Sequence, residues 1–266
     1  MRQAAVLGCG PAGLLAVHAL NEHGIHADVF SIKQKSEING AQYLHRAIPD
    51  ITPDDPTGYI RFTKVGERDV YAIKVYGSPT APVSWDSYDT GTVPMWSMES
   101  AYAKLWHVYH KRITEMVVNE NAVQHLLGLY DEVISTIPRR LICKNPHHDF
   151  RSQRITIKHR HLPEMVNRPN EVVYDGTPYV GWYRWSIING HESAEYAQHR
   201  DYVSADPDHL WKLYEGFKPL GHNCDCWEDE HIVFAGRFGR WEKGILIHHA
   251  YEQVKEVAQN ALHEMQ

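Results

Sequence analysis

The spacing of hydrophobic and polar positions predicts a strand, a helix and a second strand at the start of the chain. Residues 3–7 are apolar and run directly into a glycine-rich turn. Leucines and valines then recur every three or four positions until Gly24, and a second apolar stretch covers residues 25–32. This order is typical of a β-α-β unit in which a glycine ends the helix.

The following part of the chain alternates with a period of two and is interrupted by loops. Prolines and aspartates at 46–57 predict a loop, and two short strands are predicted near 58–65 and 70–76. Glycines, prolines and serines at 77–96 predict another loop. Helical spacing returns over 97–117, where we predict a long helix.

Strands dominate the prediction for the second half. One strand ends on the proline of residues 130–138, and others are predicted at 154–159, 171–175 and 179–188. Residues 192–218 show a mixed pattern. A buried strand at 231–235 then leads into a glycine-containing turn and a helix from about Gly244 to the end.

These elements predict an α/β protein with a Rossmann-like nucleotide-binding domain and an inserted substrate domain of mostly antiparallel β structure. We expect the nucleotide-binding domain to be discontinuous and to comprise 1–50, 112–142 and 222–266. The substrate domain would comprise 51–111 and 143–221.

The composition is that of an ordinary globular protein. The 266 residues are 43% hydrophobic and 23% charged, the mean hydropathy is −0.47, and no apolar run approaches the ~20 residues that span a bilayer. The four cysteines do not form a dense disulfide framework, which favours a reducing cytoplasm, of a host cell if the gene is phage-encoded. The apolar stretch before Cys9 is too short for a signal peptide, so we expect no targeting segment and no membrane contact.

Charge is distributed unevenly around a net value of −6. The basic segment, residues 139–168, has eight Lys and Arg against two acids, whereas residues 192–230 have ten acids against three bases. The basic segment could contact phosphate or DNA, or it could be a solvated face of a sheet.

The first turn carries the motif of three glycines that binds dinucleotides. Gly8 would allow the tight turn, Gly10 would let the backbone approach a pyrophosphate, and Gly13 would let the helix pack on the strand. Pro11 and Ala12 open the helix, whose N-terminal N–H groups favour an anion. An acidic residue that would bind the ribose is absent, and its slot holds Ser31, with Lys33 just beyond.

Two later motifs make the resemblance more specific. Residues 130–138, with Thr136 and Pro138, resemble the second nucleotide-fold signature of the glutathione-reductase-type flavoproteins. Residues 231–248 resemble the C-terminal motif of that superfamily, and look most like the amine oxidase and UDP-galactopyranose mutase branches. The resemblance implies FAD as cofactor, and the further cofactor-binding residues it implies are Gln42, Gly236, Arg237, Gly244, Ile245 and Leu246.

Aromatic residues around an arginine give the candidate substrate site. On a predicted strand, Trp182 and Arg184 would share one face and Tyr183 the other. Arg184 could bind a carboxylate or phosphate, and the aromatic rings could flank an amine or stack on a base. His248 could act as an acid or base. The alternative is an aromatic-rich core strand.

Cysteines and histidines in two separate segments could form a metal site. Cys143 and His147 lie in one, and Cys224 and Cys226 in the other. Together they would make a tetrahedral site for a structural zinc ion, although free cysteines remain the alternative.

The functional prediction is an FAD-dependent oxidoreductase that oxidises a C–N bond of a small-molecule amine or a modified nucleoside. The chain also looks like the small flavoproteins of bacteriophage DNA hypermodification, which implies an oxidative lyase acting on an aminoacyl-modified pyrimidine in DNA. The alternatives are a flavin-dependent mutase of a nucleotide-sugar and a non-catalytic FAD-binding protein.

Overall fold

The computed structural model divides the chain into two compact units. The first unit comprises 1–54, 96–151 and 219–266, and the second comprises 55–95 and 152–218. The residues that the structure describes are 2–34, 38, 42–83, 85, 92–161, 168–197, 211–228 and 230–263. Within these ranges no helix is both long and apolar enough to cross a membrane.

Strands and helices alternate at both ends of the chain, and strands dominate between them. In chain order the elements are β1 (Gln3–Leu7), α1 (Pro11–Glu22), β2 (His26–Ser31), β3 (Tyr43–Leu44), β4 (Gly58–Gly66), α2 (Arg68–Tyr76), β5 (Thr92–Ser97), α3 (Met98–Tyr109), β6 (Ile113–Glu115), α4 (Glu120–Leu127), β7 (Glu132–Ser135), β8 (Phe150–His161), β9 (Asn170–Gly176), β10 (Arg184–Ile188), β11 (His191–Ala197), β12 (Lys212–His222), β13 (Ile232–Phe234), α5 (Gly236–Arg240) and α6 (Ile247–His263). Short 3-10 turns follow α3 and β7.

The first unit is built on a five-stranded parallel sheet with the order β13-β7-β1-β2-β6. Successive side chains of β1 point to opposite faces of this sheet. Ala4 and Val6 pack in one apolar cluster with α1, α3 and α6, while Ala5 and Leu7 pack in another with α4. Because both faces of β1 are covered, its central residues are wholly apolar, as expected for a buried parallel strand.

The second unit contains most of a sheet whose order is β12-β8-β11-β10-β9-β4-β5. Neighbouring strands from β8 to β9 pair antiparallel, whereas β4 pairs parallel with β9. The mostly antiparallel character therefore agrees with the sequence prediction. The last two residues of β5 belong to the first unit, where they pair with β3.

Several sequence-based boundaries are wrong. Residues 70–76 belong to helix α2, because Ala72 and Val75 are buried one turn apart and Gly77, at φ +73°, ends the helix. The helix predicted over 97–117 ends at Tyr109, and Ile113 instead begins a strand that pairs with β2. Its apolar side chain continued the helical spacing, but sheet pairing determines its conformation. The predicted loop also contains β5, and helix α3 lies in the first unit rather than in the substrate part.

Candidate functional site

The glycine turn lies between β1 and α1. Gly8 has φ +101°, and its N–H donates to the Phe30 carbonyl oxygen at 2.8 Å. A Cβ on Gly13 would lie 1.8 Å from the Gly8 carbonyl oxygen, so this position requires glycine. Gly10 differs, because a Cβ there would have no atom of the described protein within 4 Å. As far as the described residues go, the outer side of the turn is therefore open space beside an exposed backbone.

The N-terminus of α1 faces this space, and no side chain of its cap or first turn accepts a hydrogen bond from its N–H groups. Gly10 is the N-cap and supplies no side chain, Pro11 occupies the first turn, and that turn contains no acidic residue. The N–H groups of the first helical turn have no acceptor within the helix, and they carry the positive end of the helix dipole. This arrangement fits a phosphate or pyrophosphate group.

Thr136 holds the end of β7 against this turn. Its N–H and its Oγ1 both donate to the Leu7 carbonyl oxygen, at 3.0 and 2.8 Å. A Cβ on Gly8 would lie 2.8 Å from Thr136 Oγ1. The hydroxyl predicted to contact the cofactor is therefore bonded to the protein, and Pro138 follows as the residue before a 3-10 turn.

The C-terminal motif reaches the same place through two glycines. Gly236 has φ +71°, and a Cβ on it would lie 3.0 Å from the Cβ of Ala12. A Cβ on Gly239 would lie 2.3 Å from the Ser135 carbonyl oxygen. The three motifs singled out in the sequence therefore meet at one end of the parallel sheet. Sequence reasoning missed Gly239, although a second glycine three positions after the first is a signal for close packing.

Arg237 organises the segment before α6. Its Nε donates to the Ile245 carbonyl oxygen at 3.1 Å, and Gly244 makes the intervening turn at φ +85°. Helix α6 begins at Ile247, later than predicted, so Gly244, Ile245 and Leu246 precede the helix. The Leu246 N–H donates to Nδ1 of His249 at 3.1 Å, which satisfies one N–H at this terminus.

His248 lies in the first turn of α6 and is 3% exposed. Its Nδ1 has no hydrogen-bond partner within the described part of the chain. Burial, the neighbouring His249 and His45, and Arg46 lower the pKa of His248 to about 4, against a smaller opposing effect of Glu252. The ring is therefore neutral near pH 7. His45, whose ring centroid lies 5.8 Å away, was not predicted as a site residue.

The expected ribose contact is occupied by the protein. Ser31 is buried at the end of β2, its Oγ donates to the Lys33 carbonyl oxygen at 3.2 Å, and Cys9 Sγ lies 3.3 Å from that hydroxyl. The Lys33 side chain is exposed. Gln42 contributes its backbone carbonyl to Met98 at 3.5 Å.

A buried tyrosine also supports the turn. Tyr102 donates its hydroxyl hydrogen to the Cys9 carbonyl oxygen at 2.8 Å. No sequence signal indicated this bond, because it joins residues 93 positions apart.

The predicted substrate residues lie in the second unit. Strand β10 begins at Arg184, so Trp182 and Tyr183 precede it, and the prediction of a shared strand face is wrong. Tyr183 is buried in an apolar cluster. Arg184 donates to a Glu195 oxygen at 2.7 Å, and Lys218 binds the other oxygen of that carboxylate. The arginine predicted to bind an anionic substrate is thus already paired.

The cysteine and histidine segments come together within the first unit. Cys143 Sγ lies 3.5 Å from Cys224 Sγ, 3.9 Å from Cys226 Sγ and 3.3 Å from Nδ1 of His148. The predicted ligand His147 is replaced by its neighbour His148. The backbone N–H of His147 donates to the side-chain oxygen of Asn145. The sequence pattern could not show which of the two adjacent histidines lies beside the cysteines.

Much of the basic segment has partners from the acidic segment or from aromatic rings. Arg160 pairs with Glu192 at 2.7 Å, and Lys144 pairs with Glu230 at 3.2 Å. Arg139 is buried against the Phe234 ring. Because these positive charges have partners within the protein, the contacts favour a surface whose charges are balanced. They do not support the expected DNA contact.

No protein-family model matches the chain, and no curated protein matches it either. Solved structures do match over nearly its whole length. Several of these structures are oxygenases or monooxygenases. The tetrameric form of 2-methyl-3-hydroxypyridine-5-carboxylic acid oxygenase has a TM-score of 0.57 and 15% identity, covering 98% of this chain and 82% of the other. CtdE in complex with FAD gives a TM-score of 0.56 and 11% identity, covering 97% and 84%.

p-Nitrophenol 4-monooxygenase PnpA from Pseudomonas putida DLL-E4 has a TM-score of 0.54 and 11% identity, with coverage of 100% and 82%. At such low identity these matches establish the Rossmann-like α/β fold. The matches named here do not support the amine oxidase or mutase branch that residues 231–248 suggested, and they give no support to bacteriophage DNA modification.

Proposed function

We propose that the first unit binds FAD and that the protein is an FAD-dependent oxidoreductase of the monooxygenase type. The observation that carries this proposal is the open space at Gly10, which faces an α1 N-terminus free of acidic side chains. The fold is shared with CtdE, whose solved structure holds FAD. A pyrophosphate at this turn would receive hydrogen bonds from N–H groups of the first helical turn, for which no acceptor is found among the described residues.

Each motif has a proposed part in holding the cofactor. The first turn of α1, with Pro11, Ala12 and Gly13, would bind the pyrophosphate, and Arg237 lies in the motif next to it. Ser31 would offer the ribose a hydroxyl that is already bonded to Lys33, which makes a weaker ribose contact than the usual carboxylate. We therefore expect the affinity to depend mainly on the pyrophosphate site.

When bound, FAD supplies the redox centre, which takes electrons from a reductant and passes them to dioxygen. The chain itself supplies a neutral, buried imidazole at His248, whose Nδ1 can hydrogen-bond to a group placed beside α6. The N-terminus of α6 favours negative charge on such a group. These features would let the chain bind a negatively charged group of the cofactor beside α6 without giving it a proton.

The finer predictions have less support than the monooxygenase proposal. A nucleotide-sugar mutase needs a cation for the diphosphate, and the guanidinium chosen for that role pairs with Glu195. Oxidation of a C–N bond, in a small amine or in an aminoacylated pyrimidine, depends on a substrate site that the described residues do not define. We keep both reactions as outcomes of the test.

The test begins with the visible spectrum and the pigment released from the purified protein. Flavin bands near ~370 and ~450 nm with FAD in the supernatant are expected. A colourless protein that does not take up added FAD would remove the whole proposal. A bound flavin that stays functionally silent with substrates and after treatment with dithionite would identify the non-catalytic alternative.

The reaction type is then tested with reduced nicotinamide and isotope-labelled dioxygen, using hydroxylated aromatic acids, amines and aminoacylated nucleosides as substrates. Label from dioxygen in the organic product is expected for a monooxygenase. Hydrogen peroxide together with an aldehyde or keto product free of the label would indicate C–N oxidation instead. Activity with a nucleotide-sugar that needs only reduced flavin would indicate a mutase.

A further inference from the structure

We propose that Cys143, His148, Cys224 and Cys226 bind one structural zinc ion in the first unit. Two segments supply the ligands: one follows the 3-10 turn after β7, and the other is the loop after β12. The four ligand atoms all lie within 4.8 Å of one another. The proposal concerns a site separate from the glycine turn and does not depend on flavin binding.

The spacing of the ligand atoms fits a tetrahedral ion. With Zn–S bonds of about 2.3 Å and a Zn–N bond of about 2.0 Å, tetrahedral angles place neighbouring ligand atoms roughly 3.5–3.8 Å apart. The sulfur–sulfur distances from Cys143 are 3.5 and 3.9 Å, and Nδ1 of His148 lies 3.3 and 3.7 Å from the sulfurs of Cys143 and Cys226. Soft thiolates with one imidazole are a ligand set that selects zinc.

The same distances argue against a disulfide. A disulfide joins two sulfurs at about 2.05 Å, whereas the three thiols here are free and arranged around a common centre. A disulfide would use two of the three thiols, and the third thiol and the imidazole of His148 would have no role in it. They complete the ligand set of one ion.

The imidazole is oriented as in a metal site. Nδ1 of His148 points to the sulfurs, while Nε2 lies 3.4 Å from Oδ1 of Asp225. A ligating histidine commonly hydrogen-bonds through its other nitrogen to a carboxylate, which fixes the tautomer and the ring orientation. Asp225 stands between two ligand cysteines, so the ligand segment itself supplies this partner.

Two further hydrogen bonds fix the ligand positions, one between the two ligand segments and one within the second segment. Trp227, next to the last cysteine, donates its indole N–H to the Ile142 carbonyl oxygen at 2.7 Å. The Cys224 N–H donates to Nδ1 of His222 at 3.0 Å. The ligand positions are thus held by both backbone and side chains.

A buried cation next to the cluster provides an independent argument. Arg139 is 8% exposed and donates to the carbonyl oxygens of Cys224 and Cys226, at 3.1 and 3.4 Å. Within the described ranges, no carboxylate forms an ion pair with it. A buried guanidinium requires a nearby opposite charge. Zinc with three thiolates and a neutral imidazole carries a net charge of −1, which would meet this requirement.

The site has the character of a structural centre. Four protein ligands close the coordination sphere, whereas a catalytic zinc keeps one position for water. The ion would join two segments about eighty residues apart in the chain. Cys143 and His148 also line a surface cleft with Arg140 and Pro146, which offers the ion a route to the ligands.

The metal content of the purified full-length chain tests the proposal. Cells are grown with zinc, and the protein is analysed by inductively coupled plasma mass spectrometry. We expect one zinc per chain in the wild type and in His147→Ala, and a zinc content at least about twofold lower in His148→Ala, which removes one of the four ligands. The two variants remove adjacent histidines of which only one is proposed as a ligand. Cys9→Ser serves as the matched control for Cys224→Ser.

X-ray absorption at the zinc edge keeps the test valid if a ligand variant fails to fold. The wild-type spectrum should show three sulfurs and one nitrogen around the ion. Absence of zinc, both as purified and after reduced protein is incubated with zinc chloride, would overturn the proposal. Equal zinc content in the two histidine variants, or a shell of oxygen and nitrogen only, would also overturn it.

Discussion

Gly13 lies so close to Gly8 that a Cβ on it would be 1.8 Å from the Gly8 carbonyl oxygen. That oxygen belongs to the backbone and cannot move aside as a flexible side chain could. We therefore expect Gly13→Ala to lower the free energy of unfolding by about 3 kcal/mol or more, whether or not FAD is present. Urea unfolding of the FAD-free protein measures this, and a loss below about 1 kcal/mol would contradict the packing described here.

The substitution Gly10→Ala should weaken FAD binding but leave the stability of the protein nearly unchanged. Its Cβ would enter open space, so Gly10→Ala should change the free energy of unfolding of the FAD-free protein by less than about 1 kcal/mol. FAD affinity should fall by at least about tenfold, because the methyl group would occupy the place proposed for the pyrophosphate. Equilibrium titration of the FAD-free variant with FAD gives the affinity.

Gly128→Ala is the matched control for Gly10→Ala. Gly128 has ordinary helical angles, and a Cβ there would meet only the His125 carbonyl oxygen at 3.4 Å. This variant should bind FAD as the wild type does. If Gly10→Ala also kept wild-type affinity, the pyrophosphate would have to lie elsewhere.

The contrast between local and long-range features explains what the sequence could predict. The glycine turn and the strands around it were predictable because Gly8, Gly10 and Gly13 act within one β-α-β unit. Helix α2 was not, because its short apolar pattern fits a period of two as well as a helix. The choice of His148 over His147 depends on the fold of two distant segments. The pairing of Arg184 with Glu195 depends on the register between the neighbouring strands β10 and β11, which the spacing of residue types did not fix.

Glu195 should make the second unit sensitive to acid. Burial raises its pKa, but Lys218 and Arg184 outweigh that effect and lower the pKa to about 2. Since this pKa lies below the ordinary value of 4.5 for a glutamate, the stabilisation is complete above about pH 4.5 and is lost as the pH falls towards 2. The expected loss is about 3 kcal/mol, measured by urea unfolding across this range.

Glu195→Gln isolates this contribution. The amide cannot ionise and leaves two cations without their carboxylate, so the variant should be about 2–4 kcal/mol less stable near pH 7. Between pH 4.5 and 2 it should lose less stability than the wild type. Glu215→Gln, at an exposed position of β12, should follow the wild-type curve. An unchanged pH dependence in Glu195→Gln would rule out the proposed ion pairs.

Lys74 should be essential to the second unit for a related reason. Its ammonium is 1% exposed and bonds to Oδ1 of Asp175 at 2.7 Å and to the Trp182 carbonyl oxygen at 3.2 Å. Lys74→Met would leave a buried carboxylate without its cation, with an expected loss of about 3–5 kcal/mol in unfolding free energy. Thermal unfolding compares it with Lys212→Met at an exposed position, which should lose less than about 0.5 kcal/mol.

His248 should make the first unit less stable in mild acid. Its pKa of about 4 lies below the ordinary histidine value of 6.5, so its stabilising contribution is complete above about pH 6.5 and is lost as the pH falls to 4. The reason is that protonation would place a charge in a buried site beside His249, His45 and Arg46, with only Glu252 in opposition. We expect the wild type to lose about 2 kcal/mol of unfolding free energy over this range.

The variant His248→Gln cannot take up a proton and should lose less stability than the wild type between pH 6.5 and 4. His107→Gln removes an exposed histidine of α3 and should behave as the wild type does. Urea unfolding of all three proteins at several pH values makes the comparison. Because His159 and His222 also have lowered pKa values through burial, part of the pH dependence will remain in every variant. Identical curves of stability against pH for His248→Gln and the wild type would contradict this prediction. They would mean that His248 has the same pKa in the folded and the unfolded chain, despite its burial beside three basic groups.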